Sequence, residues 1–313
     1  MLGISTCWWA NRISGEKEIV NETLGLGLKG IELDYRISSA ILEDMVPRLK
    51  RELTVLSIHN FFPLPEGISP DKASGDLSLL SSPDRVERSK AVRYSIRTID
   101  YAHELGARAV VFHLGRADMP NPSRDFFRLF RDRKIGEKEG LAFIEEQRLI
   151  RQASKRKNLD AVLLSLEELN RVAEKRGIFV GIENRYHFHE IPDLEEIGLI
   201  LRSFKGGNIR YWHDVGHAKV QENIGISSQR SLLEAYGQDI IGIHLHDVMG
   251  FDDHLAPGQG EVDYNAIKPF MKPSIIKVLE VHPKVKRRAL LEGIRFVKEA
   301  ILENRSHLQV SGQ

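Results

Sequence analysis

Short apolar runs in this chain repeatedly end in histidine or a carboxylate. Ser-Ile-His59-Asn, Val-Phe-His113-Leu-Gly, Gly-Ile-Glu183-Asn, Trp-His-Asp214-Val-Gly-His217, Ile-His244-Leu-His246-Asp247 and Val-Leu-Glu280-Val-His282 follow one another, and a loop with Asp252-Asp253-His254 trails the fifth. Of twelve histidines, only His103 and His307 lie away from these ends or the loops after them. Imidazole and carboxylate are the ligands that borderline and hard divalent cations take. Asp214 and His217 stand three apart where a strand would turn into a helix, so both can reach one ion. His244 and His246 share a strand face, because side chains alternate with period two. Glu183 and Glu280, from separate runs, can approach the same ion, and a cation beside a glutamate holds it ionised as a base. Taken singly, each feature has a plainer reading: a structural histidine, a helix N-cap at Asp214, or a glutamate paired with Lys or Arg. Their joint placement at six successive run ends is what points to a metal centre. His187, His189, His246 and His282 are read as supporting or substrate contacts.

Parallel strands would bring such ends to one place. Strands are expected at Leu2–Thr6, Gly30–Leu33, Val55–His59, Ala109–His113, Phe179–Glu183, Ile209–His213, Ile240–His244 and Ile276–Glu280. Amphipathic helical stretches lie between them, clearest at Ser82–Leu105, Ala161–Arg176, Pro192–Phe204 and Val285–Asn304. Strand–helix alternation makes the strands parallel, since each return crosses over through a helix. Continuous apolar runs such as Ala109–Phe112 fit strands buried on both faces. Eight such units predict an α/β fold, a single (β/α)8 barrel, in which strand C-termini share one catalytic mouth. No G-x-G-x-x-G loop follows the first strand, which argues against an open dinucleotide-binding sheet. Residues 116–158 exceed the minimal plan; with twelve Lys/Arg against seven Asp/Glu and the apolar Phe126, Phe127, Leu129 and Phe130, they read as extra helices over the mouth. The barrel is expected over residues 1–305, and 306–313 as a loose polar tail.

At 313 residues, 42% hydrophobic and 28% charged, the chain can bury one large core. A net charge of +1 gives no global attraction to nucleic acid. The one cysteine, Cys7, has no partner for an internal disulfide and fits a reducing compartment. No apolar run nears the ~18–20 residues of a membrane span. The N-terminal MLGISTCWWANR lacks the basic-then-apolar pattern of a signal peptide. The expected location is the cytoplasm, without membrane partners; a homo-oligomer is compatible with the sequence.

At these residues the sequence resembles the xylose isomerase-like TIM barrel superfamily, which includes sugar isomerases and epimerases and the family 2 apurinic endonucleases (the endonuclease IV group). The resemblance covers nearly the whole chain outside 116–158. In the epimerase branch a Glu, an Asp, a His and a Glu hold one divalent ion (Mn, Zn, Mg or Co). It implies Glu183, Asp214, His244 and Glu280 as metal ligands here, with Glu183 and Glu280 as the proton-transfer pair and His217 as a substrate contact. The endonuclease branch uses three zinc ions, and it implies additional ligands at His59, His113, His217, Asp252 and His254. Asp214-Val-Gly-His217-Ala resembles that branch's D-x-x-H-A element, and Asp252-Asp-His254 with Gly258-Gln-Gly260 its D-x-H…G-x-G loop. The short spacing from His244 to Asp252 and the Asn-Phe-Phe-Pro-Leu-Pro after His59 depart from it. Ile-Glu183-Asn-Arg-Tyr-His-Phe-His-Glu-Ile-Pro and Asp253-His254-Leu-Ala-Pro-Gly-Gln-Gly-Glu-Val-Asp263 look closer to proteins grouped as sugar phosphate isomerase/epimerase.

Two functions are thus expected to compete. One is metal-dependent isomerisation or epimerisation of a small sugar, sugar phosphate or polyol-like carbonyl compound through an enediolate, with Trp8, Arg185, His217 and His246 as substrate contacts. The other is phosphodiester cleavage at abasic DNA, which the basic insertion favours and the near-neutral charge disfavours. A barrel retained only for binding would have lost ligands, and none of the four is replaced.

Overall fold

The computed structural model describes residues 1–10 and 16–302. In chain order the strands are β1 (Leu2–Ser5), β2 (Gly30–Leu33), β3 (Thr54–His59), β4 (Ala109–Phe112), β5 (Phe179–Glu183), β6 (Ile209–Asp214), β7 (Ile240–Leu245), β8 (Asp247–Met249), β9 (Asp252–Leu255) and β10 (Ile276–Leu279). The first seven and β10 form a closed barrel. All its pairings are parallel, and β1 joins both β2 and β10. The short β8–β9 hairpin is antiparallel and stands in the loop after β7. The helices are α1 (Glu16–Gly25), α2 (Ser39–Glu52), α3 (Arg85–Glu104), α4 (Ser123–Arg131), α5 (Lys138–Ser154), α6 (Arg156–Arg176), α7 (Leu194–Ser203), α8 (Val215–Asn223), α9 (Gln229–Tyr236), α10 (Tyr264–Ile267) and α11 (Arg287–Val297). Among the described residues, no helix is long and apolar enough to cross a membrane.

All eight expected strands are present, with ends moved by a residue; His113 and Glu280 sit just past β4 and β10. Caps explain where helices start later than apolar periodicity suggests. Asp84 accepts from the N–H groups of Val86 and Glu87, so α3 begins at Arg85 rather than Ser82. Asp193 and Glu196 form a reciprocal capping box, so α7 begins at Leu194 rather than Pro192. The stretch expected from Ala161 is the body of α6, which starts at Arg156. The last helix starts at Arg287 rather than Val285, and its α-helical part ends at Val297 before a π-helical turn at Lys298–Leu302. The tail expected from Ser306 lies outside the described residues.

Beneath the mouth, two large side chains close the barrel. Trp212 of β6 and Leu56 of β3 belong to an inner cluster with Ala109, Val111, Ile241, Ile276 and Val278. Glycines make room for them. A Cβ on Gly242 would lie 2.0 Å from Trp212 Cζ3, one on Gly181 2.9 Å from Cε3, and ones on Gly3 and Gly30 2.6 and 2.7 Å from Leu56 Cδ1. Large residues thus fill the volume that facing glycines vacate, giving a dense floor. Trp212 also meets the His244 ring edge-on at 5.0 Å, so the floor supports the chemistry above it.

The basic insertion makes α4 and α5 and fastens two mouth loops. Phe126 and Ile144 are buried with Phe188 and Ile224, while Arg124, Arg128, Arg131, Arg133 and Lys134 face solvent. Phe127 stacks on Phe251, at the tip of the β8–β9 hairpin, at 3.9 Å, and Phe130 meets the same ring at 4.9 Å. Arg151 of α5 is buried and enters the loop between β5 and α7. It donates to the Phe188 and Glu190 carbonyls at 3.0 and 2.8 Å and pairs with Asp193 and Glu196 at 2.6 and 2.5 Å.

The floor gives a test. Gly242→Ala forces a methyl into the Trp212 ring, and overpacking of this kind costs about 1–3 kcal/mol. Thermal denaturation should show a lower Tm than the native chain; an unchanged Tm would mean the ring yields freely.

Candidate metal centre

Four of the expected ligands converge at the C-terminal mouth. Glu183, Asp214, His244 and Glu280 each offer an atom within 4.8 Å of all the others, and all are buried. His244 Nδ1 lies 2.7 Å from Glu183 Oε1, 3.0 Å from Glu280 Oε2 and 3.6 Å from Asp214 Oδ2. The strands place them so because inward-facing positions at the ends of parallel strands share one level.

Three further groups adjoin this one among the described residues, one of them His246 with His254 and Glu280. His59 and His113 join Glu183. His113 Nε2 is 3.0 Å from Glu183 Oε2, so that carboxylate bridges the first two groups. On the other side, His217 meets Asp253 and His254. This corrects the expectation for Asp252, which is exposed and belongs to none of the groups. The reason is local backbone. His254 has φ 53°, the left-handed region, which breaks strand alternation and lets Asp253 and His254 reach the same point.

The histidines are oriented as metal ligands need. A ring nitrogen facing a carbonyl oxygen must carry the proton, which leaves its other nitrogen with a lone pair. His59 Nδ1 faces Asn60 O at 2.9 Å, His217 Nδ1 faces Asn184 O at 3.1 Å, and His254 Nδ1 faces Glu280 O at 3.0 Å. His244 is held the other way round: Nε2 lies 3.1 Å from both oxygens of Glu32, leaving Nδ1 toward the three carboxylates. Glu32 is fully buried and is fixed by Ser57 Oγ at 2.7 Å. Asp76 stands 3.4 Å behind His113 Nδ1. This donor set of carboxylates and preset imidazoles fits divalent cations such as zinc, manganese or magnesium.

The charge balance agrees. Burial opposes charge on His244, but Glu280 and Glu32 outweigh it and hold the imidazole protonated well above its usual range. A divalent ion competes with that proton for the same lone pair. Burial would raise the Glu183 carboxyl, yet His113 and His244 hold it well below the usual range. Burial likewise opposes ionisation of Asp214, and His217 and His246 reverse it. For His113, burial and Arg185 favour the neutral ring, but Asp76 and Glu183 raise its pKa to about 9. His59 behaves oppositely: burial, helped by His113, lowers it to about 4.

Three expected substrate contacts have other places. Trp8 is fully buried and donates its indole N–H to Val285 O at 2.8 Å, edge-on to Trp9; it is a core residue rather than a stacking platform. Arg185 is buried among carboxylates, 2.9 Å from Glu183, 3.4 Å from Asp76 and 3.3 Å from Glu190, so it steadies Glu183 instead of opening to the mouth. His246 is fully buried; its Nδ1 accepts from the His254 N–H at 2.9 Å, so its Nε2–H points to Asp214 at 2.9 Å. With both nitrogens engaged, it orients Asp214. His217 remains at the mouth. His187 bonds Ser123 of α4 at 2.8 Å.

Reading residues in order missed Glu32, Asp76 and Asp253. Glu32 carried a signal, since Gly-Ile-Glu-Leu also ends an apolar run with an inward acid. Asp76 carried none, because it lies in the long segment between β3 and α3.

Fold and site together define a (β/α)8 barrel with an acid–imidazole cluster at its C-terminal mouth. More particularly, the chain belongs to the xylose isomerase-like TIM barrel family, whose model matches residues 20–300. An uncharacterized protein of Methanocaldococcus jannaschii, MJ1614, is 31% identical over 134 residues, covering 41% of this chain and 49% of that protein. The chain thus spans about half the length of the curated relatives it matches. Among solved structures, the E. coli 3-keto-D-glucoside 4-epimerase YcjR is similar over 95% of this chain and 98% of its own, with 15% identity and a TM-score of 0.67. A Thermus thermophilus protein, TTHB071, soaked with ZnCl2, is similar over 97% and 99%, with 20% identity and a TM-score of 0.59. At such identities the likeness to these structures is one of fold.

Two outcomes follow from the site. In chelated protein, His113 has a folded-state pKa near 9 against ~6.5 unfolded, so its contribution is complete below about pH 6.5 and is lost as pH rises through 9. Metal needs neutral imidazole, so binding strengthens over the same window. Added zinc should therefore raise Tm more at pH 8.5 than at pH 6.5; a pH-independent increment would contradict this assignment. Second, Glu32→Gln keeps the shape but removes the charge behind His244, and such changes lower metal affinity about 10–100-fold. Competition with a chromophoric chelator measures it, and unchanged affinity would deny Glu32 the role.

Proposed function

We propose that this chain is a divalent-metal-dependent isomerase or epimerase of a small sugar-like carbonyl compound. The observation that carries this reading is the meeting of two glutamates from non-adjacent strands, Glu183 and Glu280, at one point with Asp214 and His244. Those four residues would hold the ion, which when bound polarises adjacent carbonyl and hydroxyl oxygens as a Lewis acid. The glutamates then divide the proton work. Both oxygens of Glu183 are engaged, Oε1 with His244 and Oε2 with His113 and Arg185, so its carboxylate is fixed in place. Glu280 makes its ion-pair contacts through Oε2 and lines a cavity at the mouth. Glu280 is therefore assigned removal of the proton beside the carbonyl, and Glu183 the return of one to the neighbouring carbon or opposite face, drawn from the protonated His113 ring 3.0 Å from its Oε2. Likeness to a sugar epimerase across nearly the whole fold supports this reading.

A second reading has its own observation. The flanking groups His59–His113–Glu183 and His217–Asp253–His254 supply ligands for two more cations, a set suited to clamping a phosphodiester for hydrolysis. The net charge of +1 disfavours duplex DNA as its substrate.

One experiment separates them. Metal-loaded protein is assayed for ions per chain and for solvent-deuterium uptake into D-fructose, D-tagatose, L-ribulose and dihydroxyacetone. The isomerase reading expects one ion and uptake that Glu280→Gln lowers by about 10²-fold or more. Three ions, no uptake and scission of an abasic duplex would replace it with the hydrolase.

A further inference from the structure

A cavity of about 160 Å³ adjoins the metal centre on the β1, β2 and β10 side, with Glu280 and His254 at one end. That is room for several waters or a short carbon skeleton. Its polar lining is unusual in sign. Among the described residues, apart from Glu280 and the ring of His254, the charged and aromatic polar side chains lining it are donors: Arg36, Tyr35 and His282.

Each donor is fixed from behind. Arg36 Nη1 pairs with Asp34 Oδ2 at 2.8 Å, and Asp34 is buried outside the cavity lining. Arg36 Nη2 donates to Tyr35 Oη at 2.9 Å, and its guanidinium lies 4.4 Å from the Tyr35 ring. Because the phenol oxygen accepts there, the Tyr35 O–H is left to donate. His282 Nδ1 accepts from the Lys284 N–H at 3.0 Å, so its proton sits on Nε2. The Cys7 thiol is already directed to Val281 O. Guanidinium stays charged and presents a planar fork suited to oxyanions. Within the cavity the Glu280 carboxylate repels an anionic substituent and the Arg36 guanidinium attracts it.

We propose that Arg36, with Tyr35 and His282, forms an oxyanion subsite, and that the substrate is a short sugar derivative bearing a phosphate or carboxylate at the end remote from its reacting carbon. This rests on the isomerase reading and narrows its substrate class. The test is calorimetric titration of metal-loaded protein with glycerol 3-phosphate, D-glycerate and glycerol. At least one anion should bind at least tenfold more tightly than glycerol, and the tighter of the two names the group. Arg36→Gln should reduce that preference to threefold or less; Arg36→Lys, which keeps charge without the fork, should retain an intermediate preference and serves if the first variant does not fold. Equal binding of glycerol, or an anion preference that persists in both variants, overturns the subsite. Binding is read without turnover, so this result stands apart from the deuterium-uptake result.

Discussion

Glu183, Asp214 and Glu280 place their carboxylates around one imidazole nitrogen inside the protein. Like charges so close, shielded from water, demand a counter-charge: a proton on His244 or a divalent ion in its place. Most of the neighbouring structure serves that demand. Glu32 draws the other side of His244, Arg185 neutralises the far side of Glu183, and His246 directs its N–H at Asp214. The mouth is therefore a balanced electrostatic unit in which each acid has a named partner.

Rigidity comes from two sources. Below, Trp212 fills the space left by Gly181 and Gly242 and touches His244. Above, α4 and α5 hold the loops that bring side chains to the mouth from outside the strands. Phe127 and Phe130 grip Phe251 on the hairpin that carries Asp253 and His254, and Arg151 ties down the loop that carries Arg185 and Glu190. The insertion's exposed basic residues are a solvated outer face, while its buried side chains do the fastening.

The mouth also has a direction. The deep side is acidic and suits a cation; the side toward β1 and β2 is lined by donors and suits an anion. A small molecule with a carbonyl at one end and an oxyanion at the other matches that polarity. A uniform polyanion does not.

Short apolar runs alternating with helical stretches made the eight strands legible in the sequence, and the residues at their ends include Glu183, Asp214, His244 and Glu280, which the fold brings together. Parallel strands of similar length end at one level, so residue type at the ends reports the mouth. Other matters needed the tertiary structure. Trp8 belongs to the core because residues near Val285 close over it, and nothing local to Trp8 says so. Asp253 rather than Asp252 stands beside His217 and His254, where His254 adopts a left-handed backbone. Asp76 and Arg36 reach the site from loops whose paths depend on contacts distant in sequence. An apolar run and the residue that ends it are local properties of the sequence; which loop folds over the mouth is decided by packing between segments far apart in the chain.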